Sequence, residues 1–465
     1  MAHRASDPLR VPDEFWARDD VRGALTERDI GTLFQLVRRH TGASQTQLGI
    51  AAGLEQGYVS RIMAGRKVMV IDVLERIADG FGMPSTPRVL LGLAPGGHAS
   101  AGLEPPAAVS GTWQDGVAAA VELWRGDVER REVLRYGAFT AAGFTLPALR
   151  WFTGEGQVDL AKTGQRAVGQ PDVDMIREMT GTFRQLDNQY GGGRLRQTLV
   201  RYLDNEVTPL LRDGRFDHAT GRALLSASAE ATQLAGWMAY DDGEHALGQR
   251  YMIQALDLAK AADDKPLGAE ILAAMSHQAV YLGDSAVAVE LARASGRTAD
   301  HAGVPVLVAE ALVMQAHAHA RLGDAMTCAA LLSRAEVALD RADRSRDPQW
   351  ISYFDEAYLA ARFGHCFREL KQGKQAERFA VQSLKMDSRY VRGRTFNLLL
   401  LAIACAQVGD AARACAIGDK ALELTTRLHS ARAHGYLREL QNSLAPYGKS
   451  PVVRQFNTRV SALLR

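Results

Sequence analysis

The sequence predicts an all-α protein, with an N-terminal helix-turn-helix domain followed by an α-solenoid of degenerate repeats. Three observations carry this. Between residues 30 and 81 apolar side chains recur at helical spacing in short segments punctuated by glycine. Gly243-Glu244, Gly283-Asp284 and Gly323-Asp324 stand 40 residues apart, and a fourth such pair follows at Gly409-Asp410; this marks an internal repeat. The 465-residue chain holds only 15 prolines, and its middle and end are rich in Ala and Leu. That composition disfavours collagen-like, disordered and β-sandwich classes.

In the N-terminal part, Ile30, Leu33, Phe34, Leu36 and Val37 predict a helix over 29–40. Ser44 stands where an N-cap would and opens a second helix through 45–52. Gly53 interrupts it, and a third short helix runs through 58–64 to Gly65. A fourth carries Ile71, Leu74, Ile77, Ala78 and Phe81 and stops at Gly82-Met83-Pro84. Two short helices joined by a tight glycine-containing turn describe a helix-turn-helix.

Charge points the same way. The chain carries 55 Lys+Arg against 53 Asp+Glu, a net +2, so no overall field draws it to nucleic acid or membrane and any basic site must be local. Residues 38–67 hold Arg38, Arg39, Arg61, Arg66 and Lys67 against the single acid Glu55, a local +4. A solvated face would account for this, but a phosphate-gripping surface around an inserted helix accounts for it better.

The pattern Ser44-Gln45-x-x-Leu48, Gly53-Leu54, Val59-Ser60-Arg61-Ile62 and Gly65-Arg66-Lys67 resembles the helix-turn-helix of the XRE (Cro-type repressor) regulators. The resemblance covers about a fifth of the chain. It implies that Gln45 touches phosphate or a base edge, and that Gln56, Tyr58, Ser60 and Arg61 project into the major groove. Val59 and Ile62 would pack inward, and Arg66 and Lys67 would hold the DNA backbone. Gln56 suits adenine and Arg61 suits guanine, each by a bidentate pair. Glu55 replaces the usual Ser/Thr cap, Gly57 removes one expected base contact, and Met63 replaces a common Glu. These departures bear on operator preference rather than on the fold.

The remaining organisation follows from punctuation. Residues 1–26 read as an arm whose Phe15-Trp16 pair packs on the domain or on the later repeats, and 27–93 as the DNA-binding domain. Residues 94–112, with Pro95-Gly96-Gly97 and Pro105-Pro106, read as a flexible linker. Residues 113–220 form a helical middle, with helices over 115–140 and 172–213 interrupted by Pro147, Pro171 and Gly191-Gly192-Gly193. The triple glycine before Arg194 could seat an anion at a helix start. It lacks a Walker lysine and a preceding strand, so a plain hinge is favoured.

Residues 221–445 contain the repeats, and 446–465 are expected to cap them. Placing the glycine–acid pairs at turns aligns three lines of small residues: Gly236, Ser276, Ala316, Gly364, Ala402; Gly248, Ala288, Cys328, Ala376, Ala414; and Ala255, Ser295, Ala335, Ser383, Ala421. Small residues there let paired helices approach closely. Pro266, Pro305 and Pro348 mark the starts of first helices. Five pairs are expected, the fourth with a slightly shorter turn. The arrangement resembles the tetratricopeptide repeat, lengthened to 38–48 residues.

In such solenoids the first helices line the concave face. One ladder there reads Trp237, His277, His317, His365, Ile403, and another reads Glu230, Glu270, Glu310, Tyr358, Phe396. Gln233, Tyr240, Tyr281, Arg321 and Arg368 lie between and beyond. Repeating acid, imidazole, guanidinium and aromatic groups suit a ligand with polar and apolar parts, such as a short peptide or a small molecule. The competing reading is that the Glu–His ladder only ties neighbouring helices together. No metal site is expected on the three histidines, which lack H-E-x-x-H spacing.

No catalytic constellation, kinase set or phosphate loop is found, so neither an enzyme nor a cofactor is expected. Cys328, Cys366, Cys405 and Cys415 form no C-x-x-C pair and read as reduced thiols. The longest apolar run, 398–406, is half of a membrane span. The first 25 residues lack a secretory apolar stretch, so a cytoplasmic location without membrane contact is expected. The sequence thus describes a DNA-binding transcriptional regulator that binds double-stranded DNA as a homodimer on an inverted repeat, with a helical-repeat domain that senses a peptide or small molecule, mediates dimerisation, or both. Its organisation resembles the peptide-sensing regulators of Gram-positive bacteria. The alternative is an interaction scaffold whose helix-turn-helix no longer binds DNA.

Overall fold

Capping chemistry sets the N-terminal helix boundaries in the computed structural model. It describes residues 11–91 except 17, 27, 55 and 66–70, then residue 93, 112–129, 139–153, 159–193 and 195–464. The chain divides into two units, 1–108 and 109–465. In the first, α1 (Asp13–Trp16) and α2 (Asp19–Thr26) precede α3 (Ile30–Thr41), α4 (Gln45–Ala52), α5 (Gln56–Met63), α6 (Ile71–Gly80) and α7 (Ser85–Leu90). Ser44 caps α4 in a capping box with Gln47, which satisfies two amides that the helix start leaves free. Gly53 ends α4 in the left-handed region at φ 62°.

Leu33, Phe34, Val37, Leu48, Val59, Ile62, Ile77 and Phe81 form the core of this unit. Each contributes roughly 1.5–3 kcal/mol by leaving water. Residues 11–26, expected as an arm, share that core: Phe15, Trp16, Val21 and Leu25 are buried in it, and the Phe15 ring lies 5.1 Å from that of His40. Of the two packing partners open to the aromatic pair, the domain is the one it uses. The linker expected over 94–112 falls, up to residue 111, outside the described residues.

The second unit begins with α8 (Trp113–Val128), α9 (Thr145–Phe152), α10 (Gln170–Tyr190), α11 (Arg196–Tyr202) and α12 (Thr208–Asp213). Two-residue strands, β1 (Arg166–Ala167) and β2 (Gly214–Arg215), pair in parallel and, with the Lys162–Phe216 bridge, are the strand structure among the described residues of this all-α fold. Pro147 lies inside the first turn of α9 rather than interrupting it, a position where its missing N–H has no helical partner to lose. A buried cluster docks α8 and α11 on the first repeat: Arg196 pairs with Asp127 and, at 3.0 Å, with Glu244, while the Tyr251 hydroxyl donates to Asp127 at 2.7 Å.

Then come antiparallel pairs: α13 (His218–Asp241) with α14 (His245–Ala261), α15 (Lys265–Tyr281) with α16 (Ser285–Ala302), and α17 (Pro305–Arg321) with α18 (Ala325–Asp340). These are followed by α19 (Glu356–Glu369) with α20 (Gly373–Ser383) and α21 (Val391–Gln407) with α22 (Ala411–Thr425). The stack is an α-solenoid. All fifteen small positions are buried, and the reason is contact distance. A Cβ on Gly248 would stand 3.0 Å from the Gly236 carbonyl oxygen, and Ser276 Oγ donates to the Ala288 carbonyl at 2.8 Å.

The glycine–acid pairs fall in the inter-helix turns. The fourth turn is not shorter: Leu370-Lys371-Gln372 matches the others, with Lys371 at φ 59° where they place glycine. Pro266 and Pro305 open first helices. Pro348 instead opens a short 3-10 turn, Gln349–Ile351, ahead of α19, because extra residues intervene there. The expected cap, 446–465, is mostly the second helix of a sixth pair, α23 (Ala431–Leu444) and α24 (Pro451–Leu463).

The inner face of the stack is closed by α10 and α23. Arg392 on α21 reaches Asp187 on α10 at 2.6 Å and donates to Asn188 at 3.0 Å. The His429 amide just before α23 donates to the Tyr190 carbonyl at 2.9 Å. Gly191-Gly192-Gly193, expected as a hinge, sits at that crossing and is a close packing point. A Cβ on Gly191 would stand 2.5 Å from the His429 carbonyl oxygen, one on Gly192 2.7 Å from Met238, and one on Gly193 2.7 Å from Asp242. Arg194 lies outside the described residues.

Candidate functional site

The α4–α5 pair presents one polar face. Val59 and Ile62 point into the core, whereas Gln56, Gly57, Ser60 and Arg61 are exposed and Tyr58 is half-buried. Gly49 makes the pair tight: a Cβ there would lie 2.6 Å from the Leu54 carbonyl oxygen. Gln56 Nε2 donates to Gln45 Oε1 at 3.3 Å, which brings two of the expected contact residues to one spot. The Arg61 guanidinium leans on the Tyr58 ring, 5.7 Å from its centroid, leaving its N–H groups toward solvent. Arg66 and Lys67, expected to grip the backbone, and Glu55 lie outside the described residues.

A cavity of about 230 Å³ occupies the interior of the solenoid. Of the expected ladder and ligand residues, Gln233, Trp237, Glu270, His277, Glu310, Tyr358, His365 and Phe396 line it. Glu230, Tyr240, Tyr281, His317, Arg321, Arg368 and Ile403 do not. Glu230 is tied to Arg184 at 2.7 Å. Tyr240 is fully buried behind His277, its hydroxyl 2.9 Å from His277 Nδ1, and Tyr281 packs against it at 5.5 Å. His317 Nε2 lies 3.9 Å from Glu369, the carboxylate that also holds Arg321 at 3.2 Å and Arg368. These last three therefore converge on a salt cluster, not on the cavity.

The Glu and His rungs do not bond to each other. Tyr353 Oη lies 2.7 Å from Glu310 Oε1 and 3.0 Å from Glu270 Oε1. One phenolic proton cannot serve two carboxylates, so the trio needs a further proton. Burial, reinforced by the neighbouring Glu270 charge, pushes the Glu310 carboxyl well above its usual range, and Glu310 supplies that proton. Burial pushes His277 and His365 well below the ordinary imidazole value, helped by the Arg362 guanidinium, and His317 down to about 4. All three are neutral near pH 7. Among the described residues no group of three His, Cys, Asp or Glu could hold a metal ion.

Several cavity residues escaped the sequence reading: Arg362, Arg392, Arg432, Trp350, Tyr353 and Tyr436. Trp350 and Tyr353 come from the insertion that stretches the third repeat interval to 48 residues, and the broken period was the available signal. Arg432 lies on α23, outside the repeat register. Its guanidinium sits 4.7 Å from the Tyr240 and Phe396 rings and 5.3 Å from Trp237, with Asp241 Oδ1 at 3.7 Å.

With this geometry in place, comparison with known families is informative. Residues 29–91 match the family model of a helix-turn-helix domain, spanning α3 to α7. The chain therefore carries a helix-turn-helix domain, the class of module that DNA-binding regulators use. No curated protein matches the chain. Among the described residues no helix is long and apolar enough to cross a membrane.

Proposed function

We propose that the protein is a sequence-specific DNA-binding transcriptional regulator of the XRE type. It docks α5 in the major groove of double-stranded DNA, and its solenoid, built of tetratricopeptide-like pairs, houses a signal ligand. The observation that carries the first part is the division of α5 into a buried Val59/Ile62 side and an exposed Gln56/Ser60/Arg61 side within the matched domain. One such helix seldom supplies enough discrimination, so a homodimer on an inverted repeat is the working form. The polar cavity supports a sensing role over catalysis, since its buried carboxyl and imidazole groups are neutralised or paired. Ligand would act by shifting the population of solenoid conformations and so the spacing of the two DNA-reading domains.

The test is a mobility-shift titration of the full chain against DNA from upstream of its own gene. Retardation of one fragment at a protein concentration at least a hundredfold below that needed for unrelated DNA is expected. If no fragment is retarded even at low salt, the protein is instead a scaffold whose helix-turn-helix has lost DNA binding. Gly57, which bares the middle of the exposed face, is the observation that favours that second reading.

A further inference from the structure

The cavity chemistry says what kind of molecule would fill it. Its volume, about 230 Å³, exceeds the roughly 150 Å³ that accepts benzene but falls below the roughly 300–1,000 Å³ of drug-sized sites. The match is a compact molecule on the order of ten to fifteen non-hydrogen atoms. A peptide of five residues spans about 16 Å when extended, and α10 and α23 cover the face that an open solenoid would offer it.

The buried charges inside are mostly matched. Arg184 pairs with Glu230, Arg392 with Asp187, and Arg432 faces Asp241. Glu310 and Glu270 share Tyr353 and one proton. Arg362 is the exception. It is only 5% exposed, it lines the cavity, and its hydrogen bond goes to the Met314 thioether at 3.1 Å. Its Nε has no partner, and among the described residues no carboxylate stands within ion-pair distance. A guanidinium carries five N–H donors, and sulfur is a weak acceptor. Leaving such a group buried without an anion is costly. Tyr358, whose ring lies 5.8 Å from the guanidinium, holds it in place from one side.

We propose that this chamber binds a compact organic monoacid, its carboxylate gripped by Arg362 and its apolar or aromatic body lying among Trp237, Tyr358 and Phe396. The assignment rests on the sensing role of the solenoid. The neutral state of His277 and His365 accords with it, since a positive field from Arg362 is what an entering anion would meet. The mouth lies where Ser352, Asp355 and Asp387 reach solvent between the 348–355 and 384–390 loops. The opposing chemistry is an amine, which would displace the shared proton and use the Glu270 and Glu310 carboxyl pair.

The test sets these against each other on the full chain. Phenylacetate and octanoate are titrated by calorimetry and by the fluorescence of Trp237 and Trp350, beside the matched phenylacetamide, octanamide and phenethylammonium. At least one acid is expected to bind at least tenfold tighter than its amide and than the ammonium ion. Arg362→Gln should erase that preference while the ligand-free melting temperature holds or rises, because an unpaired buried charge has been removed. Arg362→Lys should keep part of it. Equal binding of acid and amide, tighter binding of phenethylammonium, or a preference that survives Arg362→Gln overturns the proposal. If neither acid binds while the ammonium ion binds and alters DNA affinity, the acid is wrong and the sensor stands. If no probe binds, both readings fall whatever the melting temperature of Arg362→Gln, and a lowered one marks Arg362 as a strut.

Discussion

Arg61→Ala separates fold from recognition because the structure gives Arg61 little to do in the fold. Its side chain is exposed on α5 and rests on the Tyr58 ring at 5.7 Å, a contact worth about 0.5–1 kcal/mol at the surface. Alanine is at least as good a helix former, which offsets part of that loss, so the net change in stability is under about 1 kcal/mol. In the proposed complex the same residue would form a bidentate pair with guanine, worth about 1–3 kcal/mol of discrimination. At about 1.4 kcal/mol per decade, one half-site loses roughly 5- to 150-fold, and a two-fold dimer loses the square of that. Fluorescence anisotropy on the retarded upstream fragment and on a scrambled one, at two salt concentrations, gives the ratio. Specific affinity should fall by that factor while the scrambled fragment loses much less. If both fall equally and the salt slope drops by about one, Arg61 grips phosphate. If neither moves, the major-groove assignment of α5 is refuted.

The helix pairs yield a matched comparison by chemical denaturation: Gly236→Ala, whose Cβ would lie 2.9 Å from Tyr251 Cβ, should lose up to about 2 kcal/mol from overpacking, whereas Gly116→Ala in open space should gain about 0.5–1 kcal/mol of helix propensity. Lys371→Gly should stabilise by about 0.5–1 kcal/mol, because Lys371 occupies the left-handed region at φ 59°; a loss would mean that its side chain matters in the turn. Burial, countered in part by Arg392, pushes the Asp187 carboxyl up to about 6, so the folded state holds a proton that the unfolded chain has released above about pH 4. That contribution to stability is complete below about pH 4 and is lost as pH rises through 6. Asp187→Asn should flatten this part of the stability-against-pH curve, measured by urea denaturation between pH 4.5 and 7.5, and an unchanged slope would contradict the assignment.

Much of the fold was legible because its signals are local. Ser44, Gly53 and Gly65 punctuate α4 and α5 through backbone chemistry within a few residues, and the fifteen small positions recur wherever paired helices must touch. The candidate DNA face followed from the same periodicity, since Val59 and Ile62 mark the buried side and leave Gln56, Ser60 and Arg61 outside. The cavity was only half legible. Gln233, Trp237, Glu270, His277, Glu310 and His365 were found by extending one face along the repeats, but Arg321, Arg368 and His317 obeyed the same pattern and turned instead to Glu369.

The sequence by itself determined most of the helices, five of the six helix pairs and the helix-turn-helix character of the N-terminal unit, because caps, turns and small-residue contacts act between near neighbours. Only the tertiary structure decided that the inner face is closed. That closure brings Asp187 to Arg392 and sets Arg432 among the rings of Trp237, Tyr240 and Phe396, residues separated by 160 positions or more, except for the Phe396 contact made across 36. Solenoid curvature sums small rotations over many repeats, so no local pattern announces where its two ends meet or which guanidinium is left there without an anion.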